Sequence, residues 1–182
     1  VYTADPRIVP RAHKLAQIDI ESMLELSSSG AKILYIRAVE FARRHKVPLR
    51  VRSSFSTDPG TLIYTAKAGD DMEEPIVSGV ATDDTQSKVT VIGLPDIPGK
   101  AAEIFQIVAE AGANIDMIVQ NVSEDGTSTD MTFTVTRGDL DRAIEMLNAR
   151  KDELGFTALV PDADVVKVSV VGVGMRSHAG VA

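Results

Sequence analysis

The chain has 182 residues, 44% hydrophobic and 25% charged, with 19 Lys and Arg against 26 Asp and Glu for a formal net charge of −7. That length holds one ordinary domain or two small ones, the composition excludes disorder along the whole chain, and no apolar run nears the roughly 20 residues of a membrane span. Without cysteine, and with only His13, His45 and His178, disulfides and thiolate chemistry are impossible, a histidine metal cage is not expected, and a cytoplasmic location is.

Charge divides unevenly. Residues 1–50 hold nine basic against five acidic side chains, or +4, which leaves −11 for the remainder. An acidic majority with only five Phe and three Tyr argues against a nucleic-acid partner. The basic first third suits a small polyanion such as a nucleotide phosphate.

Residues 1–10 carry prolines at 6 and 10 and no helical period, so they are expected to be a strand end entering a loop. No methionine, cap or polar tail precedes Val1, and the expectation is that the chain begins inside a longer protein. Asp19 or Ser22 can cap a helix through Leu26 that stops at the cluster 27–30. A second helix is predicted over 37–44, with Val39, Phe41 and Ala42 inward and Arg43, Arg44 and Lys46 at its carboxyl end, where the dipole favours them. Strands follow at 49–55 and 60–64. The acidic segment 66–75 has neither helical nor strand period and marks a boundary.

Beyond it, KVTVIGL at 88–94 is a β-branched strand. A turn, PDIPG at 95–99, leads into a helix whose Ala101, Ile104, Phe105, Val108 and Ala111 share one face, and Gly112 ends it. Strands at 115–122 and 131–135, a helix marked by Leu140, Ala143, Ile144 and Leu147, and a strand at 156–160 complete a βαββαβ order, the ferredoxin-like split unit. KVSVVGV at 167–173 then restates KVTVIGL at an offset of 79 residues, and Gly180 echoes Gly99. A second copy of the unit has begun, and its strand is expected to lack partners within this chain.

VYTADPRIVPRA at 1–12, GAKIL at 30–34, RAVEFARRHKVPLRVRSSFS at 37–56 and GLPDIPGKAAEIF at 93–105 together resemble the carboxy-terminal part of the aspartate kinase family, over nearly the whole chain and in the family's order. One local departure is Tyr35-Ile36, where the family often has a proline before the arginine matching Arg37. The resemblance implies a mixed α+β and α/β chain. Residues 1–65 would be the end of an amino-acid kinase domain, 66–76 a linker, 77–163 a βαββαβ ACT regulatory domain, and 164–182 the start of a second ACT unit.

By the same resemblance, Tyr2, Thr3, Asp5 and Arg7 lie along ATP and Lys32 reaches its phosphates, with Mg2+ accompanying the nucleotide. The chemistry suits them: a tyrosine ring can lie on adenine or ribose, and Arg and Lys bring positive charge to phosphate. Taken alone, Tyr2 and Arg7 are ordinary surface residues.

Asp96, Ile97, Pro98, Gly99, Lys100 and Ala101 resemble the ligand loop of ACT domains, and Asn114, Asp116 and Gln120 match positions lining the same amino-acid site. Amides opening a helix can hold a carboxylate and an aspartate can take an ammonium. On spacing alone the loop is a turn with proline at a helix start, and the others are polar side chains of a strand. His178 has no carboxylate or nucleophile at a useful spacing, and no glycine pattern makes a P-loop or dinucleotide fingerprint.

The implied parent phosphorylates the β-carboxylate of L-aspartate with ATP, the first step towards lysine, threonine and methionine, and answers to lysine or threonine at its ACT domains. It is expected to assemble as an ACT-mediated homodimer or an α/β hetero-oligomer. No catalytic residue is expected here, because the family's phosphate loop and aspartate-binding residues belong upstream of Val1. The fragment alone should be inactive. The alternatives are a non-catalytic ACT regulatory subunit, for which Met72 stands where an internal start would fall, and an amino-acid-binding protein unrelated to kinases. Residues 1–71, with VYTADPR and GAK, argue against both.

Overall fold

A computed structural model describes residues 1–66, 77–122 and 126–172. Most of the expected linker, Met72 and the second-copy loop with His178 and Gly180 lie outside the described residues. The chain divides into two compact units, Val1–Asp83 with Val168–Ala182, and Asp84–Lys167.

The first unit is organised around Asp19. Strand β1 (Gln17–Asp19) runs directly into helix α1 (Ile20–Ser28), and Asp19 Oδ2 accepts the Glu21 amide at 2.8 Å and the Ser22 amide at 3.3 Å. That satisfies two donors a helix start leaves orphaned. Helix α2 (Ile36–Arg44) turns Val39 and Ala42 inward. Phe41, expected inward, is instead 66% exposed, with its ring 4.3 Å from that of His45. Position 41 sits about 200° round the helix from 39 and 100° from 42, so a stripe buried through those two leaves it outside.

Strands β2 (Leu49–Val51) and β3 (Thr61–Tyr64) complete a sheet of order β1-β3-β2, with β1 parallel and β2 antiparallel to β3. The strand expected at 49–55 stops at Val51 because β3 offers partners only as far as Thr61. The expected strand end at residues 1–10 is reduced to one isolated bridge, Tyr2 with Lys14. Ile18, Ile20, Met23, Leu26, Val39 and Ile63 form the core of this unit. A further strand, β4 (Gly79–Asp83), packs on it through Ala81. Sequence periodicity did not reveal β4.

The second unit has the βαββαβ order: β5 (Gln86–Pro95), α3 (Lys100–Glu110), β6 (Ile115–Val122), β7 (Ser128–Thr136), α4 (Leu140–Ala149), a short helix α5 (Lys151–Leu154) and β8 (Ala158–Asp162). The sheet order is β6-β7-β5-β8 and every neighbouring pair is antiparallel. Val89, Val91, Met131, Phe133 and Val135 alternate onto one face and meet Ile104, Ile107, Val108, Ala143 and Leu147 of α3 and α4. Phe105 lies edge-on to Phe133 with centroids 6.2 Å apart. The opposite face carries Thr90 and Thr132, hydroxyls 3.0 Å apart, and the Lys88–Asp162 ion pair at 3.3 Å.

The chain then returns to the first unit as β9 (Lys167–Val171), which pairs with β4. The expectation that this strand lacks a partner is therefore corrected: its partner comes from residues that precede the βαββαβ unit. The second compact unit spans Asp84–Lys167.

Candidate effector and nucleotide sites

The 96–101 loop joins β5 to α3. Asp96 anchors its entry, its amide donating to the Thr127 carbonyl at 3.1 Å, and the Lys100 amide closes a turn on Ile97 O at 3.1 Å. Gly99 takes the N-cap position with φ at 100°, a left-handed conformation, and nothing lies within 4 Å of where a Cβ would stand. No side chain caps α3, so the Ala101 and Ala102 amides of its first turn have no side-chain cap. Asp96, Ile97, Pro98 and Gly99 are exposed, while the Lys100 ammonium is held by Glu103 at 2.6 Å and by the Glu153 carbonyl at 3.3 Å. Ala101 is half-buried against the core.

Asn114, Asp116 and Gln120 do not gather at this loop. Because β5 and β6 are both antiparallel to β7, they run the same way, so Asn114 and Asp116 stand at the end of the sheet opposite Asp96. Helix α3, with 11 residues, spans about 16 Å between the two ends. Gln120, paired with Met131, lies nearer the loop end of β6. Asp116 is engaged already: Lys167, the first residue of β9, forms an ion pair with it. Lys167 is a residue that sequence reasoning missed, 51 positions away from its partner and visible there only as part of a repeat.

Among the candidate nucleotide residues, Tyr2 is 41% exposed and Thr3 Oγ1 accepts the His13 amide at 3.0 Å. Arg7 folds back onto Asp5, with Nε to Oδ1 at 3.0 Å, Nη2 to Oδ2 at 2.7 Å and its own amide to Oδ1 at 2.9 Å. These bonds, the guanidinium's first, hold the Asp5 carboxyl down at about 2. Lys14 pairs with Asp58, whose carboxyl is lowered by that ammonium and by the Gly60 amide. Lys32 is exposed just past Gly30, which has φ at 105° and backs onto β4: a Cβ there would meet Asp83 Cβ at 2.8 Å and Thr82 O at 2.9 Å. Among the described residues no group of three His, Asp or Glu side chains could hold a metal ion.

The βαββαβ unit with its glycine-headed loop, preceded in the chain by an α/β unit, is matched part by part in an ACT-bearing member of the amino-acid kinases. Residues 88–152 match the ACT domain and residues 1–53 match the amino acid kinase family. Over the whole chain the sequence is 55% identical to the aspartokinase of Corynebacterium efficiens, and it spans 43% of that protein's length. Among solved structures, the aspartokinase alpha and beta subunits are similar at 48% identity and TM-score 0.53, over 58% of this chain and 68% of theirs. The regulatory subunit of aspartate kinase from Thermus thermophilus is similar at 39% identity and TM-score 0.54, over 59% of this chain and 70% of that one. The chain belongs to the aspartate kinase family.

Proposed function

We propose that this chain is the regulatory and nucleotide-side portion of a cytoplasmic aspartate kinase that transfers the γ-phosphoryl group of ATP to the β-carboxylate of L-aspartate. The observation that carries the reading is the likeness to aspartokinase along the entire chain, through both the amino-acid kinase segment and the ACT segment. In it, residues 1–65 end the kinase domain, 66–76 link, 77–163 form the first ACT domain with its preceding strand, and 164–182 begin a second.

Tyr2, Thr3, Asp5, Arg7 and Lys32 then form one wall of the ATP site. Tyr2 offers a ring to the base, and Arg7, oriented by Asp5, and Lys32 bring charge to the phosphates. Mg2+ would arrive with the nucleotide.

Lysine or threonine binds at the ACT unit through the 96–101 loop, with its carboxylate on the α3 amides, and through Asn114, Asp116 and Gln120. Since α3 separates Asp96 from Asp116, a site that uses both takes the loop from one copy and the strand from another. That supports an ACT-mediated homodimer or an α/β assembly. The test is Asp96→Ala in the full-length enzyme. Losing a charge-assisted bond should raise the inhibitory concentration of lysine or threonine about tenfold. Unaltered inhibition would reduce the loop to a structural turn.

The match to a separately solved regulatory subunit, over 59% of this chain, favours one second reading. A start at Met72 would yield a non-catalytic regulatory subunit beside the full-length chain. Intact masses of the products made by the native gene, one species against two, decide between them.

A further inference from the structure

The Asp116–Lys167 ion pair lies within the Asp84–Lys167 unit, at the residue where the chain leaves that unit. Lys167 is the last residue of the Asp84–Lys167 unit, and the next residue, Val168, belongs to the first unit. Its side chain is only 18% exposed and its ammonium is committed to Asp116. Strand β9, whose first residue is Lys167, pairs with β4, and the Val171 carbonyl accepts the Ser78 amide at 2.7 Å. Strand β4 in turn touches the nucleotide-side segment twice. The Val80 amide donates to the Thr3 carbonyl at 2.7 Å, and the Gly30 turn that carries Lys32 backs onto Thr82 and Asp83 without room for a Cβ.

We propose that the Asp116–Lys167 pair is the switch that couples amino-acid binding on the ACT unit to the nucleotide side. The inference rests on the reading of Asp116 as the acceptor for the effector's ammonium. Two ammonium groups on one carboxylate repel each other at close range, so the effector's ammonium weakens the hold of Asp116 on Lys167. An amino acid that claims Asp116 displaces Lys167, and the displaced residue is the one at which the chain enters β9. A shift of β9 is transmitted to β4 through the strand pair, and β4 is in contact with Thr3 and with the Gly30 turn. Lys167 is thus a positioning residue that touches neither substrate. An effector can bias such an equilibrium only by the difference in its affinity for the paired and released forms, and competition for Asp116 supplies that difference.

The experiment uses the full-length kinase with L-lysine and L-threonine, singly and together, and measures effector binding separately from inhibition. Lys167→Met removes the competitor. Binding should be as tight as wild type or several-fold tighter, while the greatest inhibition reached at saturation falls below half that of wild type. Lys167→Arg should restore coupling, which a change in packing alone would not explain. Asp116→Asn should weaken effector binding about tenfold.

If Asp116→Asn leaves binding unchanged, the site reading itself fails and the switch falls with it. If Asp116→Asn weakens binding but Lys167→Met binds and inhibits as wild type does, the site stands and the switch is overturned. The uninhibited rate reports whether Lys167→Met folds. Should it not fold, hydrogen exchange on the wild-type enzyme decides: saturating effector should change protection of the Ser78 and Val80 amides and of the β9 amides, and unchanged protection there overturns the proposal.

Discussion

The Gly93 amide donates to Asp130 Oδ1 at 2.9 Å, so a carboxylate on β7 seals the bulge that interrupts β5 between Val91 and Leu94. Gly93 sits there with φ at 65°, and a Cβ would stand 2.4 Å from Thr157 Oγ1. Gly93→Ala should therefore cost about 1–3 kcal/mol, from the left-handed backbone and the clash together. Asp130→Ala, which loses one hydrogen bond, should cost about 0.5–1.5 kcal/mol. Urea midpoints that rank the two variants in the reverse order would show that the bulge has room to relax.

Among the described residues Lys46 is the one non-glycine residue with positive φ, at 54°. It follows the end of α2, where its amide donates to Arg43 O at 3.1 Å and the Val47 amide to Ala42 O at 2.9 Å, the bonds of a helix stop that glycine favours. Lys46→Gly should stabilise the protein by about 0.5–1 kcal/mol. Thermal unfolding should move up by a few degrees, and a lowered midpoint would show that the lysine side chain contributes more than its backbone costs.

The Asp5 carboxyl is held at about 2 by Arg7, below its unfolded value near 4. A group depressed in the folded state stabilises above its unfolded pKa, and that contribution is lost as pH falls from about 4 through 2. Carboxyl chemical shifts should place the Asp5 titration near the low end of that window, and Arg7→Ala should return it to the ordinary range. An Asp5 titration indifferent to Arg7 would dissolve the pair that orients the arginine.

The sheet's two edges are unlike. Strand β8 is short and carries Pro161, which has no amide to offer, whereas β6 runs eight residues with Met117, Ile118, Val119 and Val122 all exposed. Exposed edges of that kind invite pairing with another copy. We expect at least a dimer, with Val119→Lys shifting it towards monomer in light scattering. A wild-type monomer at micromolar concentration would remove the expectation.

Purified 1–182 should show no aspartate-dependent ATP turnover. Phosphoryl transfer depends on positioning and charge neutralisation, and in the proposed reading Tyr2, Arg7 and Lys32 supply only one wall of the nucleotide site. Turnover that copurifies with the chain and disappears with Lys32→Ala would refute this.

Much of the second unit was legible because its signals are local. The alternation of Met131, Phe133 and Val135 and the stripe through Ile104 and Val108 each lie within one element, and all five are buried as that pattern requires. The misses are non-local. GVATD at 79–83 has little strand character of its own, and it becomes β4 because β9, more than 80 residues later, supplies its partner. Phe41 is hydrophobic enough for the core, but its helical phase relative to Val39 and Ala42 places it outside. The division of the effector residues was readable in principle, since an 11-residue helix lies between Asp96 and Asn114. Its consequence for geometry needed the strand directions. Nothing local announced Lys167.

The pairing of β4 with β9 also constrains the order in which the chain can fold. The two strands are separated in sequence by the whole Asp84–Lys167 unit. Closing an unstructured loop of that length costs about 4 kcal/mol in chain entropy, and a two-stranded ribbon alone recovers little of it. Once the intervening unit has folded, its ends are fixed and most of that cost is already met. The βαββαβ unit should therefore form first and bring β9 to β4. A mutation that unfolds it would then also deprive the first unit of its last strand, even where every residue of that strand is intact.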